Sequence, residues 1–280
     1  MQPGRESQTA VMVCMARAIA HGRTTAGGFA DPTALALLPD EARQRVERFR
    51  AGPPKKLRAR FAYEFLDRRS KMMVSRTVAI DEAVRAAASP QVVILGAGLD
   101  GRAWRMPELR DVTVFEVDHP DSQRVKQARV SALPPVARDI RFVPVDFTRD
   151  RLDDALAAAG HDPARPTTWI WEGVVMYLEL ADIEATLTVI ARRSARRSRL
   201  VVAYFRPALM SWVVGFIVRH AGEPFRSAFT PDQMRALLVR YGFTVTRDET
   251  LPAIAARLSA ELARATRPMK HMHIVTADRP

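Results

Sequence analysis

A short apolar run that breaks into closely spaced glycines is the feature that most constrains the fold of this chain. Residues 91–95 read QVVIL, and glycines follow at positions 96, 98 and 101. An uninterrupted β-branched run of this length is typical of a strand buried on both faces of a parallel sheet. Glycines directly after such a strand let the backbone approach a ligand closely, although they can also simply form a tight turn. The stretch predicts the first strand and cofactor loop of an α/β fold.

Two acidic residues close the next strand-like run. Residues 112–117 read VTVFEV, which is mostly apolar and β-branched or aromatic, and Asp118 follows them directly. An acid about 20 residues after the glycines is where a carboxylate binds the ribose hydroxyls of a nucleoside. Nicotinamide dinucleotides and S-adenosyl-L-methionine (SAM) both present an adenosine ribose at this place. The βαβ unit alone therefore leaves both cofactor classes open.

Length and composition favour one soluble domain. A chain of 280 residues with an apolar fraction of 48% can build one large α/β domain with added helices. Its single cysteine, Cys14, excludes an internal disulfide and is typical of a reducing compartment. No apolar run reaches the length of a membrane span, and the N-terminus lacks a signal-peptide pattern. We expect a cytoplasmic protein with no membrane partner.

The formal net charge of +12 does not by itself indicate a nucleic-acid partner. The cations are nearly all arginines that are spread along the chain, and only residues 191–199 form a dense run. That run closes a helix-like segment, where cations stabilise the negative end of the helix dipole. No zinc-knuckle spacing, RNA-recognition motif or Cys/His metal cluster accompanies it. We therefore expect neither a nucleic-acid partner nor a metal.

Four motifs in order give the chain a family resemblance. LGAGLDGRAWRM, FEVDHP, VPVDF and WEGVVMYLE together resemble the leucine carboxyl methyltransferase family of SAM-dependent methyltransferases. The similarity is greatest to its bacterial branch of small-molecule O-methyltransferases, which includes tetracenomycin-type polyketide methyltransferases. It covers roughly residues 8 to 250. One position departs from the pattern, because the family usually has threonine or a similar residue where this chain has Gly101.

The resemblance implies a Rossmann-like SAM methyltransferase fold of the α/β class. Such a fold has a seven-stranded, mostly parallel sheet with helices on both faces and an N-terminal helical lid. Residues 1–88 would form the lid, and residues 89–280 would form the SAM-binding core with substrate-cap helices at about 206–240. Further strands are expected at 140–147, 169–174 and 200–205, and the last two, in GFTVTRDE and MKHMHIVTAD, should pair partly antiparallel. Asp31 is expected to cap a short helix that begins with Pro32.

The resemblance also implies a set of cofactor ligands. These residues are Arg17, Arg76, Gly96, Ala97, Gly98, Asp118, Asp146, Phe147 and Glu172. The glycines would receive the nucleoside and Asp118 the ribose, while Asp146 would accept the adenine amino group and Phe147 would pack on the ring. Helix capping near Asp150 is the other interpretation of Asp146.

Two arginines are candidates for the carboxylate of SAM. Arg76, in SRTVAID, resembles the family arginine that grips this group, and a guanidinium can chelate a carboxylate through two parallel hydrogen bonds. Arg17 is the nearest match to a basic residue of the N-terminal region. A helix-surface arginine is the alternative interpretation at both positions, and Asp81 is interpreted as an ordinary helix residue.

Residues of the fourth strand and beyond are the candidates for the reaction itself. Glu172 would position SAM near the methyl donor, because a glutamate in an apolar strand requires a hydrogen-bonding role. Tyr177 would face the acceptor, with a core tyrosine as the alternative, and Arg206 could hold a substrate carboxylate. A carboxylate acceptor needs no base, whereas a hydroxyl acceptor would benefit from one, for which His220 is the best histidine.

The leading hypothesis is a SAM-dependent O-methyltransferase that acts on a carboxyl or hydroxyl oxygen of a small, apolar metabolite of secondary metabolism. An NAD(P)-dependent oxidoreductase shares the glycine loop, but the chain has no Tyr-x-x-x-Lys pair and this hypothesis gives Arg76, Asp146 and Glu172 no role. A non-catalytic SAM- or RNA-binding protein is the third hypothesis. Monomer and homodimer both stay open.

Overall fold

A computed structural model describes residues 7–146, 149–207 and 225–280. Two of the predicted site residues, Phe147 and His220, lie outside the described residues, as does much of the predicted substrate cap at 206–240.

Seven strands form one sheet. They are β1 (Gln91–Leu95), β2 (Thr113–Asp118), β3 (Asp139–Pro144), β4 (Thr167–Trp171), β5 (Arg199–Phe205), β6 (Thr244–Thr250) and β7 (Met272–Asp278). Their order across the sheet is β3-β2-β1-β4-β5-β7-β6. The first five are parallel, and β7 runs antiparallel to both β5 and β6. The seven-stranded, mostly parallel sheet with an antiparallel terminal pair is confirmed.

Eleven α-helices lie in the described part of the chain. They are α1 (Gln8–Ala20), α2 (Ala34–Leu37), α3 (Asp40–Arg50), α4 (Leu57–Ala87), α5 (Arg102–Arg105), α6 (Pro120–Val130), α7 (Leu152–Ala158), α8 (Leu180–Arg192), α9 (Pro231–Arg240), α10 (Leu251–Leu258) and α11 (Ala260–Thr266).

Apolar residues cover both faces of the sheet, as expected for central parallel strands. On one face Val92 and Ile94 of β1 pack in a cluster with side chains of α1 to α4. On the other face Val93 and Leu95 pack in a second cluster with side chains of α7, α8 and α9. The alternation along β1 thus places helices on both sides of the sheet, which confirms the predicted layers.

The long helix α4 changes character along its 31 residues. In its first turns Leu57 is 71% exposed and Phe61 is 66% exposed, whereas Met73, Val78 and Val84 near its other end are buried. Ala88 then closes the helix in the left-handed conformation at φ 45°. The second half of α4 is therefore anchored against the core, and its first half extends into solvent.

The structure corrects the predicted start of the short helix α2. Asp31 and Pro32 precede the helix, which begins at Ala34 with Thr33 as its N-cap. The Asp31 carboxylate accepts hydrogen bonds from the Ala34 N–H at 3.0 Å and the Thr33 hydroxyl at 2.9 Å. Its other oxygen lies 2.7 Å from Nε of Arg17. Asp31 therefore joins α2 to α1, a long-range contact that a local capping pattern cannot reveal.

The fourth strand also ends earlier than predicted. It stops at Trp171, and Gly173 adopts a positive φ of 72° two residues later. This conformation is accessible to glycine and turns the chain away from the sheet. Glu172 therefore lies just beyond the strand, at its carboxyl end.

No helix among the described residues combines the length and apolar character needed to cross a bilayer.

His161 makes folding stability depend on pH. Its ring is 4% exposed and packs near Phe115 and Trp169, and Nε2 lies 3.1 Å from the Thr167 hydroxyl. Burial, assisted by the charge of Arg193, lowers the pKa of His161 from 6.5 to about 4. The unfolded chain therefore binds this proton more tightly than the folded chain does. The His161 contribution to the unfolding free energy is fully present above pH 6.5 and is lost as the pH falls towards 4.

We expect this loss to be on the order of 2 kcal/mol, from the free energy of a shift of this size with allowance for solvent screening. Urea unfolding of the wild type and of His161→Gln between pH 7 and pH 4 would measure it. The variant should lose less stability than the wild type over this range, and His271→Gln should behave like the wild type. Parallel pH curves for wild type and His161→Gln would contradict the assignment.

Candidate cofactor-binding site

The candidate site lies at the carboxyl edge of the parallel strands. The glycine loop follows β1, Asp118 ends β2, Asp146 comes two residues after β3, and Glu172 follows β4 directly. Carboxyl ends of neighbouring parallel strands meet at one edge, which is where open α/β sheets bind ligands. The structure therefore brings these predicted residues to a common edge.

The glycine loop is shaped by two positive φ angles. Gly96 has φ 66° and Gly98 has φ 48°. A Cβ on Gly96 would lie 2.4 Å from Cγ2 of Val174, which is too close for any side chain. Gly101 has no positive φ, and a Cβ there would lie 2.4 Å from the Thr33 hydroxyl. Gly101 is therefore required because Thr33, just before α2, packs closely against it. Its match to the dinucleotide-binding pattern does not reflect a contact with a dinucleotide.

Asp118 is held against this loop by backbone donors. The Gly98 N–H donates to one carboxylate oxygen at 2.5 Å, and the His119 N–H donates to the other at 2.6 Å. Burial raises the pKa of Asp118, and these two hydrogen bonds act in the opposite direction. Further donors, such as the hydroxyls of a ribose, would stabilise the carboxylate. The position and chemistry of Asp118 suit the predicted ribose contact.

The neighbouring acid Glu116 has a different environment. Its carboxylate lies 2.6 Å from Nζ of Lys126, and both side chains are 1% exposed. Burial raises the pKa of Glu116 to about 7, although Lys126 opposes this shift. Of the two acids at the end of β2, only Asp118 hydrogen-bonds to the glycine loop.

Asp146 does not cap the helix that follows it. Helix α7 begins at Leu152 with Arg151 at its N-cap, and the Asp146 N–H donates to the carboxylate of Asp150 at 2.8 Å. The capping interpretation of Asp146 is therefore wrong. Its proposed contact with adenine stays a prediction.

Both candidate arginines for the cofactor carboxylate are buried, so neither is a surface residue. Arg17 is 8% exposed and Arg76 is 7% exposed. Arg17 donates from Nη2 to the Leu99 carbonyl at 2.6 Å, which ties α1 to the glycine loop. Nε of Arg76 lies 2.6 Å from a carboxylate oxygen of Glu172. Both guanidinium groups thus lie at the site with protein partners, and their contacts with a cofactor stay predictions.

These residues belong to one continuous network of buried charges. Arg102 is its centre, because the guanidinium lies 2.8 Å from Asp81 and 3.0 Å from Glu172 and also contacts Asp100. Arg105 continues the network from Asp81 at 2.7 Å to Asp31 at 3.7 Å. The members are Arg17, Arg76, Arg102, Arg105, Asp31, Asp81, Asp100 and Glu172. Four cations and four carboxylates balance to zero net charge.

The network keeps its acids ionised in spite of burial. Burial would raise the pKa of Glu172, but Arg76 and Arg102 together hold it below its usual value. Burial likewise opposes ionisation of Asp100, and Arg102, Lys126 and Arg17 lower its pKa well below the ordinary range. Asp100 in the glycine loop and Glu172 at the end of β4 therefore carry full negative charges at neutral pH.

Most members of this network are not predicted from the sequence. Asp81 is indeed a helix residue, but it also bridges Arg102 and Arg105. Asp100, Arg102 and Arg105 all stand within the LGAGLDGRAWRM motif, where acids and arginines directly after a buried strand are the available signal. Apart from the contact between Asp100 and Arg102, their partners come from distant segments, so the sequence does not show the pairing.

The aromatic residue Tyr177 lies in the turn after β4, with its ring centroid 5.6 Å from that of Phe225. Phe225 in turn lies 5.2 Å from Phe205 at the end of β5. Tyr177 is half-buried, and its role in facing the acceptor stays a prediction. Arg206 is exposed, and its backbone N–H donates to the His271 carbonyl at 2.8 Å.

Within the described residues, no group of three or more His, Cys, Asp or Glu side chains is placed to hold a metal.

Substitution of Arg76 tests the predicted carboxylate contact. Arg76→Ala should weaken SAM binding by roughly tenfold or more, because a charge-assisted hydrogen bond contributes about 1.5–3 kcal/mol. Methylthioadenosine lacks the carboxylate, so its affinity should be nearly unchanged. Calorimetric titration with both nucleosides measures the difference, and Arg85→Ala on the exposed surface of α4 is the control. Equal losses for both nucleosides would indicate a damaged site and would contradict the contact.

Sequence comparison places this geometry in a known family. The family model described as leucine carboxyl methyltransferase matches residues 10–191. A Streptomyces coelicolor protein is 34% identical over 215 residues, which are 71% of this chain and 69% of the relative. A Frankia alni protein is 43% identical over 132 residues, or 46% of each chain. Both are named "putative S-adenosyl-L-methionine-dependent methyltransferase". The match thus spans less than half the length of the Frankia relative.

Solved structures share the fold. A DUF574 family protein from Streptomyces avermitilis superposes with a TM-score of 0.60 at 17% identity, covering 98% of both chains. A protein from Thermobifida fusca titled "putative methyltransferase" gives 0.58 at 13% identity and covers 99% of this chain and 96% of that one. These likenesses concern the architecture alone.

Proposed function

The chain belongs to the leucine carboxyl methyltransferase family of SAM-dependent methyltransferases, and on that basis we propose that it methylates a carboxyl or hydroxyl oxygen of a small, apolar molecule. The observation that carries the proposal is the pairing of Asp118 with the glycine loop, where the carboxylate is already 2.5 Å from the Gly98 N–H. A nucleoside on this loop would present its ribose to Asp118. Family membership does not favour an oxidoreductase.

The buried charges suit the other end of such a cofactor. Arg76 lies on the inner side of α4, with its Nε 2.6 Å from Glu172. Its guanidinium has further donors that can hold the carboxylate of SAM. The Glu172 carboxylate holds Arg76 in place. One of its oxygens lies 2.6 Å from Nε of Arg76, and the other lies 3.0 Å from Nη1 of Arg102. The residues present therefore fit SAM without a change in their pairing.

Methyl transfer from SAM requires the protein mainly to align the acceptor oxygen with the methyl group. When bound, SAM supplies a methyl group on a positively charged sulfur. Asp118 and Arg76 would hold SAM so that its methyl carbon meets an oxygen lone pair of the acceptor, and the sulfur would keep the electron pair of the broken S–C bond. The protein holds the two reactants in line and excludes water. A carboxylate acceptor is already ionised at neutral pH, whereas a hydroxyl acceptor would transfer a proton to a base such as His220.

Methyl transfer can be tested directly. The purified chain would be incubated with methyl-labelled SAM and matched sets of apolar carboxylic acids and alcohols, and the labelled products would be identified by mass spectrometry. We expect a labelled methyl ester or methyl ether that is absent with Asp118→Ala. Tight SAM binding with no transfer to any oxygen acceptor would instead favour the non-catalytic SAM-binding hypothesis.

A further inference from the structure

The inner face of α4 carries a second arginine whose role the cofactor does not explain. Arg69 stands seven residues before Arg76. Seven residues complete nearly two helical turns, so both side chains project from the same side of α4. Arg69 therefore lies about two turns from the predicted carboxylate contact, towards the exposed end of the helix.

Arg69 lacks the pairing that the other arginines of the site have. Its Nε is buried and has no hydrogen-bond partner within the part of the chain that the structure describes. Arg17, Arg76, Arg102 and Arg105 each have a carboxylate within ion-pair distance. Burying a charged group without a partner costs free energy. Arg69 as a whole is only half-buried, so an anionic ligand can reach its guanidinium and supply the missing partner.

The charges around Arg69 favour an anion. The four cations and four carboxylates of the neighbouring network cancel, so Arg69 adds one positive charge that no described carboxylate neutralises. Burial and the charge of Arg76 both lower the pKa of Arg69, and Tyr177 acts in the opposite direction. An anionic ligand would reverse this destabilisation.

The surroundings also have an apolar side. Tyr177 lies close enough to Arg69 to affect its ionisation, and its ring packs near Phe225, which packs near Phe205. A cation near the Tyr177 ring suits a molecule with an anionic group and an apolar body. Glu172 already neutralises Arg76, so Arg69 is the better placed of the two to receive a second anion.

We propose that Arg69 binds an anionic oxyacid group, a carboxylate or a phosphate, of the methyl acceptor. This inference rests on the proposed function and adds a charge requirement for the acceptor. Arg69 would orient the acceptor against the methyl group, and Arg76 would hold the cofactor.

The test uses binding to the protein loaded with S-adenosyl-L-homocysteine, the product of methyl transfer. Octanoate, octyl phosphate and octanol would each be titrated by calorimetry into the wild type, Arg69→Gln and Arg69→Lys. The wild type should bind at least one of the two anions tenfold or more tightly than octanol, and the preferred anion identifies the acceptor group. Arg69→Gln should lose this preference, Arg69→Lys should restore part of it, and octanol affinity should not change.

Two controls separate this contact from other effects. Arg68→Gln removes a neighbouring exposed arginine and should bind all three probes like the wild type. SAM affinity of Arg69→Gln should stay within about twofold of the wild type, because the variant leaves Asp118 and Arg76 intact. A wild type with no preference for either anion, or an Arg69→Gln protein that keeps the preference, would overturn the inference. Failure of the proposed function would appear separately, as absence of methyl transfer, since these titrations need no reaction.

Discussion

Replacing Arg102 by methionine should lower the free energy of unfolding by about 3–5 kcal/mol, the usual cost of removing one partner from a buried ion pair. Arg102 is 3% exposed and contacts three carboxylates, of which Asp81 and Glu172 keep Arg105 and Arg76 as partners. Asp100 would keep no arginine within ion-pair distance among the described residues. A buried carboxylate that has lost its direct ion-pair partner is the main source of the loss.

The pH dependence of this effect gives an independent check. In the wild type the pKa values of Asp100 and Glu172 are lowered, so their contribution to stability is present above the ordinary pKa of a carboxyl group and is lost as the pH falls through the lowered values. In Arg102→Met burial dominates at Asp100, and the carboxyl group should become neutral in acid. The difference between wild type and variant should therefore shrink as the pH is lowered from 7 towards 4.

Urea unfolding at several pH values measures both effects. Arg85→Met is the matched control, because Arg85 pairs with Glu108 at 2.5 Å on the protein surface, where the two side chains are 49% and 35% exposed. An exposed pair contributes about 0–1 kcal/mol. Equal losses for Arg102→Met and Arg85→Met would contradict the view that the buried network supports the site.

Asp118→Ala should weaken SAM binding by about tenfold to a hundredfold. Hydrogen bonds to a charged group contribute about 1.5–3 kcal/mol each, and the carboxylate is held beside the loop that would receive the nucleoside. Asp118→Asn should lie between the wild type and Asp118→Ala, since the amide keeps one acceptor oxygen but loses the charge. Titration calorimetry with SAM and S-adenosyl-L-homocysteine gives the affinities.

The other end of the same strand supplies the control for Asp118. Asp111 is an exposed acid just before β2, far from the carboxyl edge, and Asp111→Ala should bind SAM like the wild type. Thermal unfolding of each variant shows whether the fold is intact. An unchanged affinity in a folded Asp118→Ala protein would exclude the ribose contact.

Features that lie within one short stretch of the chain are predictable from the sequence, whereas contacts between distant segments are not. The glycine loop and Asp118 are predictable because both belong to one βαβ unit with a fixed spacing. Helix α3 is not recognised because its sequence is mostly charged and buries only Ala42, Val46 and Phe49. The charge network is not predictable in the same way, since its members are distant in sequence and meet only after the sheet is assembled.

The sequence does not show which of the many arginines are buried at the site. The chain has 43 lysines and arginines, and their number gives no sign of which side chains are buried. The resemblance singles out Arg76, which the structure places at the site, yet it assigns nothing to Arg69 or Arg102. Burial and pairing distinguish these residues, and both properties arise from tertiary packing.

The division of α4 into an anchored half and an exposed half has an evolutionary consequence. Arg76 and Asp81 lie in the anchored half, whereas Leu57, Phe61 and Phe65 project from the exposed half. Exposed positions usually tolerate substitution at little cost to stability, but buried charged positions do not. Duplicated genes can therefore diverge rapidly in the outer turns of this helix, while the inner turns stay fixed by their buried charge pairs.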